Sequence, residues 1–351
     1  MINKSSCKIA VVGATGNVGQ AILRILEEKG FPIANITALA SEQSVGKSMS
    51  YGDKGILTVR PLSTFDFASC HLALFSAGGK ISAEYAPKAA AAGCIVIDNT
   101  SHFRMEEDIP LVIPEVNPHA LKDCHKRNII ANPNCSTIQL VMALKPLHDV
   151  AQIKRVVVST YQSVSGAGKE AMDELCHQTK GVLVSDPALP HHFVKPIAFN
   201  IIPQIDVFRE DGYTKEEWKM AVETKKILDP QIELTATCVR VPVFIGHAVA
   251  ATVEFSKQLS SAKARQILRA TKGLRVVDSP EDYQFITPIE CAGDDDVYIS
   301  RLRQDNTVPS GLSLWIVADN IRKGAALNAV QIAEHLLEGG YVRALPYSLA
   351  S

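Results

Sequence analysis

One cysteine stands between a run of turn-forming residues and an apolar helical stretch. The segment Asn132–Thr137 reads NPNCST, and an apolar run over 138–144 follows it. A cysteine in the first turn of a helix faces unpaired backbone N–H groups and the positive end of the helix dipole, and both favour the thiolate. The pKa of Cys135 should therefore fall below the free value of about 8.5, and the thiolate is the form that attacks a carbonyl carbon. The alternative interpretation is a small buried residue beside a helix cap.

A glycine-rich turn follows the first apolar run of the chain. Gly13, Gly16 and Gly19 have the spacing G-x-x-G-x-x-G, between a predicted strand over 8–12 and a predicted helix over 21–28. Glycines permit the tight turn and let backbone N–H groups approach a pyrophosphate, which the helix N-terminus favours electrostatically. The position of the motif between a strand and a helix predicts a dinucleotide site rather than a structural turn.

The second predicted strand should end near Ala40, where NAD enzymes place an acidic residue on the ribose hydroxyls. Here Ser41 and Ser44 can donate hydrogen bonds to a 2′-phosphate, and Lys47 adds positive charge. Glu42 opposes this interpretation unless its side chain points to solvent. The segment therefore predicts NADP rather than NAD as the cofactor.

The composition is that of a soluble globular protein with a sizeable interior. The chain has 351 residues, 46 % of them hydrophobic, and a formal charge of −1; two domains are expected, and neither nucleic acid nor an anionic membrane is indicated as a partner. Its eight cysteines lack C-x-x-C spacing, which argues against a disulfide framework and a structural zinc site. The N-terminus lacks an apolar signal core and no stretch is long enough to span a bilayer, so a cytoplasmic location is expected.

The order of predicted elements indicates two kinds of domain. Strands and helices alternate before Cys135, which predicts a parallel sheet with right-handed crossovers. The later part is rich in strands and predicts an α+β domain on a mixed or antiparallel sheet. Its predicted strands cover 154–161, 234–241, 248–255, 297–303 and 312–317, its helices 167–178 and 214–227, and a surface loop 184–208. A strong helix is predicted over 325–337.

Three segments in this order resemble the aspartate-semialdehyde dehydrogenase family over essentially the whole chain. They are Val11–Gly16, Asn132–Thr137 and Asp319–Ala326. The resemblance implies a Rossmann domain over 1–133 with 321–351, and a catalytic and dimerisation domain over 134–320 in a homodimer. It also implies that the C-terminal helix returns to the first domain.

The family reduces L-aspartyl-4-phosphate to L-aspartate-4-semialdehyde with NADPH, reversibly and with release or uptake of inorganic phosphate. The product feeds the biosynthesis of lysine and diaminopimelate, threonine, methionine and isoleucine. The resemblance makes Cys135 the nucleophile, and the chemistry agrees, because a thiolate displaces phosphate to give a thioester that accepts hydride.

The resemblance also assigns residues to the acyl group, the carboxylate and the proton. Gln162 would orient the acyl group, although a buried glutamine bonding its own strand neighbours is the alternative. Arg240 would bind the substrate α-carboxylate, and His247 would take and return a proton. These last two stand seven residues apart, and they can share a pocket only if Pro242 and Gly246 bend the chain between them.

Glu216 and Lys219 lie three residues apart on a predicted helix and therefore on one face. An ordinary solvated ion pair is the alternative interpretation. By resemblance, Glu216 holds the substrate ammonium and Lys219 helps to bind phosphate. Arg104 matches the other phosphate-binding position of the family, and Asn134 beside the nucleophile contributes.

The cofactor contacts implied by the motif and the resemblance come from the glycine-rich turn, the end of the second strand and three later segments. One position departs from the family, because many relatives carry arginine where this chain has Gln43. No metal is expected, since Asp294–Asp296 fits a solvated turn. The expected cofactor-binding residues are Gly13, Thr15, Gly16, Asn17, Val18, Gly19, Ser41, Ser44, Ser76, Ser165, Gly166 and Asn320.

Two other functions compete with this interpretation. N-acetyl-glutamyl-phosphate reductases share the scaffold, the cysteine and the chemistry, but their substrate has no free ammonium for Glu216 to bind. A catalytically inactive relative that serves as a binding or scaffold protein is disfavoured, because Cys135, Gln162, Arg240 and His247 are all present.

Overall fold

The computed structural model describes residues 2–186 and 188–345, and the chain forms two compact units. The first comprises the described residues up to Pro133 together with those from Ala325, and the second comprises residues 134–324. The second boundary lies at residue 325 rather than at the predicted 321. The backbone N–H groups of Ile321 and Arg322 donate to the Asp319 carboxylate, and the Arg322 side chain pairs with Asp295, so these residues are held within the second unit.

The first unit is built on a six-stranded parallel sheet in the order β5-β2-β1-β6-β7-β8. The strands β1, β6 and β7 are buried along their whole length, as expected for parallel strands with both faces covered. A small antiparallel hairpin, β3 with β4, stands beside it. The strands are β1 Ile9–Val12, β2 Ile36–Ala40, β3 Ser48–Ser50, β4 Ile56–Thr58, β5 Arg60–Pro61, β6 Leu72–Phe75, β7 Ile95–Asp98 and β8 Ile129–Ala131.

Three helices belong to the first unit: α1 Asn17–Glu28, α2 Gly79–Ala91 and the C-terminal α8 Leu327–Glu338. Helix α8 packs against α1, and both supply side chains to one apolar core, among them Ile22, Leu26, Val330 and Ala333. The C-terminal helix therefore completes the nucleotide-binding unit, as the resemblance implied.

The second unit is a six-stranded mixed sheet in the order β10-β9-β11-β14-β13-β12, with parallel pairing of β9 with β10 and of β12 with β13 and antiparallel pairing elsewhere. The strands are β9 Ile153–Gln162, β10 Glu233–Arg240, β11 His247–Phe255, β12 Leu274–Val276, β13 Val297–Gln304 and β14 Gly311–Ala318. The helices are α3 Cys135–Ala151, α4 Lys169–Leu183, α5 Lys215–Ile227, α6 Ser261–Ala270 and α7 Pro288–Cys291. The predicted mixed sheet is confirmed.

Two helices differ from their predicted bounds for local reasons. Helix α4 begins at Lys169 rather than at 167, because Gly168, with φ +99°, ends a 3₁₀ turn over Val164–Ala167, and α4 runs on to Leu183. A π-helical turn, Arg322–Ala326, precedes α8, so the α-helix starts at Leu327 rather than at 325. The described residues of 184–208 form no helix or strand, as predicted, and no helix in the described part of the chain could cross a bilayer.

Candidate active site

Cys135 is the first residue of helix α3, so the predicted local setting of the thiol is confirmed. Asn134 is the N-cap, and its Oδ1 accepts hydrogen bonds from the N–H groups of Ser136 at 2.9 Å and Thr137 at 3.3 Å. This is the usual reason for an asparagine at a helix start. Cys135 is half-buried.

Helix α5 holds Asn134 through two carboxylates. Oε1 of Glu216 accepts from the Asn134 side-chain amide at 2.8 Å, and Oε2 of Glu223 accepts from the Asn134 backbone N–H at 2.7 Å. Glu216 and Glu223 are two turns apart on α5 and therefore on one face. The seven-residue spacing was a signal for the second carboxylate, but only the packing of α5 shows that the shared face meets the turn before Cys135.

Glu216 is buried, with 5 % of its surface exposed, so the alternative of a solvated ion pair is wrong. Burial raises the pKa of its carboxyl group, but the charge of Lys219 and hydrogen bonds from Asn134 and Gln162 outweigh burial and hold that pKa below its usual range. Lys219 Nζ lies 3.2 Å from Glu216 and 2.8 Å from Asp206. Sequence reasoning missed Asp206, which lies in the irregular segment before α5, where no helical spacing relates it to Lys219.

Sheet order brings the remaining predicted residues together. Gln162 ends β9 and is paired in register with Arg240, which ends the parallel strand β10; His247 begins the antiparallel strand β11 on the other side of β9. All three therefore lie at one edge of the sheet. Gly246, with φ +95°, supplies part of the predicted bend between the strands.

Gly166, on the 3₁₀ turn that follows β9, faces the side chains of both Arg240 and His247. A Cβ atom added to Gly166 would lie 3.0 Å from Nε2 of His247 and 3.1 Å from Nη1 of Arg240. Arg240 is buried, and its Nη1 donates to the Ser163 carbonyl at 2.7 Å. Burial lowers the pKa of Arg240, while the negative charges of Glu216 and a Cys135 thiolate oppose that shift. The thiol and the guanidinium thus share one electrostatic environment.

The hydrogen bonds of His247 define where its ring carries a proton. Nδ1 accepts the backbone N–H of Ser163 at 3.0 Å, so the neutral ring carries its proton on Nε2. Nε2 is buried and has no hydrogen-bond partner among the described residues. Burial and the charge of Arg240 hold the pKa of His247 well below its usual value. The ring can therefore offer a hydrogen bond to a bound group beside Gly166.

Gln162 makes one hydrogen bond within the site and one to a neighbour on its own strand, so both expected kinds of contact are present. Its Nε2 donates to Glu216 Oε1 at 3.2 Å and to Thr160 Oγ1, a neighbour on its own strand, at 3.3 Å. Its amide is therefore fixed by the site and by the strand together.

Ser165 and Asn320 lie beside His247, and their side chains bind one another. The Asn320 Oδ1 accepts from Ser165 Oγ at 3.2 Å, from Ser163 Oγ at 3.1 Å and from the Gly246 N–H at 2.9 Å. This buried network holds the turns around His247. Contacts of Ser165 and Gly166 to a cofactor would accordingly use the backbone of their turn.

The glycine-rich turn in the first unit fits a dinucleotide. Gly13 has φ +83°, and a Cβ added there would lie 2.9 Å from the Ala77 nitrogen; a Cβ added to Gly19 would lie 2.1 Å from the Gly13 oxygen. Only glycine permits these approaches. Gly16 is the N-cap of α1 and provides no side-chain acceptor, and Thr15, Asn17 and Val18 complete the turn and the first positions of the helix. The start of α1 is therefore suited to a pyrophosphate.

Strand β2 ends at Ala40, as predicted, and Ser41 is exposed at the start of a short 3₁₀ turn. The Glu42 carboxylate accepts a hydrogen bond from the Ser63 hydroxyl. Lys47 Nζ lies 3.2 Å from Ser44 Oγ. The Glu42 carboxylate is therefore occupied by a local hydrogen bond, and Lys47 lies beside Ser44.

Two further predicted residues of the first unit are anchored by hydrogen bonds. Ser76 Oγ donates to the Val12 carbonyl at 3.1 Å, at the end of β6. Arg104 is buried, with Nε donating to the Asn132 carbonyl at 2.9 Å and Nη2 to the Asn99 carbonyl at 2.8 Å.

The three carboxylates of Asp294–Asp296, before β13, all have protein partners. Asp294 accepts from the Tyr298 hydroxyl, Asp295 pairs with Arg322, and Asp296 pairs with Arg275. Among the described residues, no cluster of three or more His, Cys, Asp or Glu side chains could hold a metal ion.

Comparison with known proteins first defines the class. Residues 8–124 match the family model "Semialdehyde dehydrogenase, NAD binding domain", and residues 144–323 match "Semialdehyde dehydrogenase, dimerisation domain". The first unit is thus an NAD(P)-binding domain and the second is a dimerisation domain.

Full-length relatives then define the family. The chain is 51 % identical over 339 residues to the aspartate-semialdehyde dehydrogenase of Aquifex aeolicus (95 % of this chain, 99 % of the relative), and 53 % identical over 330 residues to that of Legionella pneumophila (93 % and 95 %). It superposes with TM-score 0.92 and 50 % identity on aspartate semialdehyde dehydrogenase II from Vibrio cholerae complexed with ASA (95 % and 98 %). The enzyme with NADP from Candida albicans has TM-score 0.72 and 25 % identity (94 % and 98 %).

The chain belongs to the aspartate-semialdehyde dehydrogenase family. At about half identity over about 95 % of its length, it has the activity of that family and is an NAD(P)-binding oxidoreductase of aspartate-family amino-acid biosynthesis. The resemblance drawn from the three sequence segments is confirmed.

Proposed function

We propose that this chain interconverts L-aspartyl-4-phosphate and L-aspartate-4-semialdehyde through a thioester on Cys135, with NADP as the cofactor. The observation that carries the proposal is the placement of Cys135 at the start of α3, where its N-cap Asn134 is hydrogen-bonded to the buried Glu216. A thiol, a buried anion and a buried guanidinium in one environment suit an amino acid with an electrophilic side chain.

Two side chains of opposite charge bind the two charged groups on the α-carbon of the substrate. The Arg240 fork binds the α-carboxylate and Glu216 binds the ammonium, since charge-assisted hydrogen bonds of this kind are the strong ones. Lys219 and Asn134 of the second unit contact the phosphate, and Arg104 is the other phosphate ligand that the resemblance implies.

The chemistry of Cys135 balances without a change in the ionisation of His247. The thiolate attacks the acyl carbon, the C–S bond forms, and the bond to the phosphate oxygen breaks to release inorganic phosphate. The dinucleotide, when bound, supplies the hydride for the thioester carbon. Gln162 orients the acyl group, and His247 Nε2–H stabilises the resulting oxyanion, whose collapse breaks the C–S bond and restores the thiolate. Neutral His247 thus acts as a hydrogen-bond donor to the reacting oxygen, in place of the acid–base role that the resemblance implies.

NADP is the cofactor proposed from the second strand's end. Ser41, Ser44 and Lys47 are suited to a 2′-phosphate, and Glu42 is drawn to Ser63. Gln43 leaves the site without the arginine of many relatives, so Lys47 supplies the main positive charge there.

A homodimer is proposed from the match to the dimerisation domain. The second unit exposes large apolar side chains that a partner copy would cover: Leu183, Val184, Leu189, Phe199 and Phe208. Light scattering after size exclusion should give twice the mass of one chain, and a single-chain mass would overturn this part of the proposal.

The first experiment is the reduction of NADP⁺ by L-aspartate-4-semialdehyde, with and without phosphate. Activity should require phosphate and vanish in Cys135→Ala, whereas Cys176→Ala, which removes the other half-buried thiol, should behave as wild type. Activity only with N-acetyl-glutamyl semialdehyde would move the chain to the sister reductases. No oxidation of either aldehyde would favour the inactive scaffold.

A further inference from the structure

Helix α3, which begins at Cys135, has an N-cap side chain but lacks the second hydrogen bond of a capping box. In a capping box, an acidic or amide side chain at the third helical position returns to the backbone N–H of the N-cap residue. Helix α5 has this arrangement, formed by Thr214 and Glu217. In α3 the third residue is Thr137, and the Asn134 N–H instead donates to Glu223 of α5 at 2.7 Å.

Glu223 is enclosed at this contact. It exposes 1 % of its surface, and Asn134 exposes 7 %. A buried carboxylate is tolerated only where donors and local positive potential compensate its desolvation, and the start of α3 supplies both. The arrangement is therefore a capping contact made between two helices.

We propose that Glu223 is a positioning residue for Cys135, and this inference rests on the proposed role of Cys135 as the nucleophile. Glu223 fixes the peptide that leads directly into Cys135, and Glu216 fixes the Asn134 side chain from the same helix face. The direction of the thiol is thus set by α5 as well as by α3. Glu223 also places negative charge at the start of α3, one residue before Cys135, where it opposes the helix dipole's stabilisation of the thiolate.

The two effects of Glu223 can be separated by substitution. Glu223→Gln keeps a side-chain oxygen that can accept the Asn134 N–H but removes the charge, whereas Glu223→Leu removes both. Glu217→Leu is the matched control, because Glu217 is also buried on α5 but bonds to Thr214 and Cys238 instead. The other charged groups around the site, Glu216 and Lys219 on α5, Arg240 on β10 and His247 on β11, are unchanged in all three variants.

The test has two parts. Steady-state kinetics give kcat and KM for the aldehyde at saturating phosphate. Alkylation by iodoacetamide gives the rate of reaction of Cys135 as a function of pH. In Glu223→Leu, kcat should fall by about 10²-fold with KM nearly unchanged, since a misplaced nucleophile costs that much. In Glu223→Gln, most of kcat should return, and the alkylation profile should move to lower pH because a neighbouring anion is lost. Glu217→Leu should lower the melting temperature and leave the alkylation profile in place.

The inference is overturned if Glu223→Leu keeps its kcat per alkylatable Cys135, or if the Glu223→Gln alkylation profile superimposes on that of wild type. The Gln variant keeps the test decisive where the Leu variant does not fold. If the wild-type protein had no aldehyde activity, the proposed function would be wrong. The alkylation profiles alone would then show whether Glu223 affects the reactivity of Cys135.

Discussion

The Ser163 backbone N–H donates a 3.0 Å hydrogen bond to Nδ1 of His247, and this bond places the proton of the neutral ring on Nε2. Nε2 is buried and faces the Gly166 turn. A histidine held in this way can donate a hydrogen bond to an oxyanion, and the proposed reaction balances without its ionisation.

Substitutions of His247 should show whether this residue acts by donating a hydrogen bond or by transferring a proton. His247→Leu should lower kcat by about 10²–10³-fold, the usual cost of losing one oxyanion donor. His247→Gln should recover part of that loss, because the carboxamide retains an N–H donor but cannot exchange a proton. Steady-state kinetics at fixed pH make the comparison, and equal losses in both variants would indicate true acid–base catalysis.

The lowered pKa of His247 predicts how stability responds to acid. Burial and Arg240 hold the folded-state pKa below the unfolded value of about 6.5, so below that pH the unfolded chain binds a proton that the folded chain does not. Stability should therefore fall as the pH drops below about 6.5. Urea unfolding from pH 7.5 to 5 should show a smaller decline in His247→Gln than in wild type; parallel curves would contradict the assignment.

Loss of the Glu216 charge should weaken binding of an amino-acid substrate. Glu216→Gln should lower kcat/KM for L-aspartate semialdehyde by about 10- to 100-fold, as expected for a hydrogen bond to a charged group. Glu210→Gln, an exposed glutamate outside the site, is the control. If both variants match wild type, Glu216 does not bind the ammonium and the preference for the aspartyl substrate loses its support.

Gly324 is packed directly against Cys135. A Cβ added there would lie 2.8 Å from the Cys135 Cβ, closer than such atoms approach, so one of the two must move. Gly324→Ala should lower kcat by about 10²-fold through displacement of the thiol. Kinetics should be paired with thermal unfolding, and full activity in a folded variant would show that the π-helical turn yields instead.

Lys47 should contribute to the choice of cofactor. Lys47→Ala should raise KM for NADP by about 10-fold or more, the value of one charged hydrogen bond, and should change KM for NAD little. Lys54→Ala, which removes another lysine of the same unit that pairs with Glu27, should leave both constants near wild type. A parallel loss with both cofactors would show that Lys47 does not recognise the 2′-phosphate.

Local sequence determined the parts of this protein that depend on neighbours along the chain. The glycine spacing between a strand and a helix predicted the turn at Gly13, and strand β2 ends at Ala40 where the apolar run ends. Cys135 was placed at a helix start because a turn-forming segment precedes an apolar run. Each of these depends on backbone preferences and side-chain periodicity within a few residues.

Only the tertiary structure decided which of these elements meet. Arg240 and His247 share an edge because β9 lies between β10 and β11, and sheet order is fixed by contacts far apart in sequence. The same holds for Glu223, whose spacing from Glu216 marks a helix face but not the partner of that face. Periodicity shows that a face is buried, but the complementary surface that buries it comes from another part of the chain, so the capping of the nucleophile's helix required the fold.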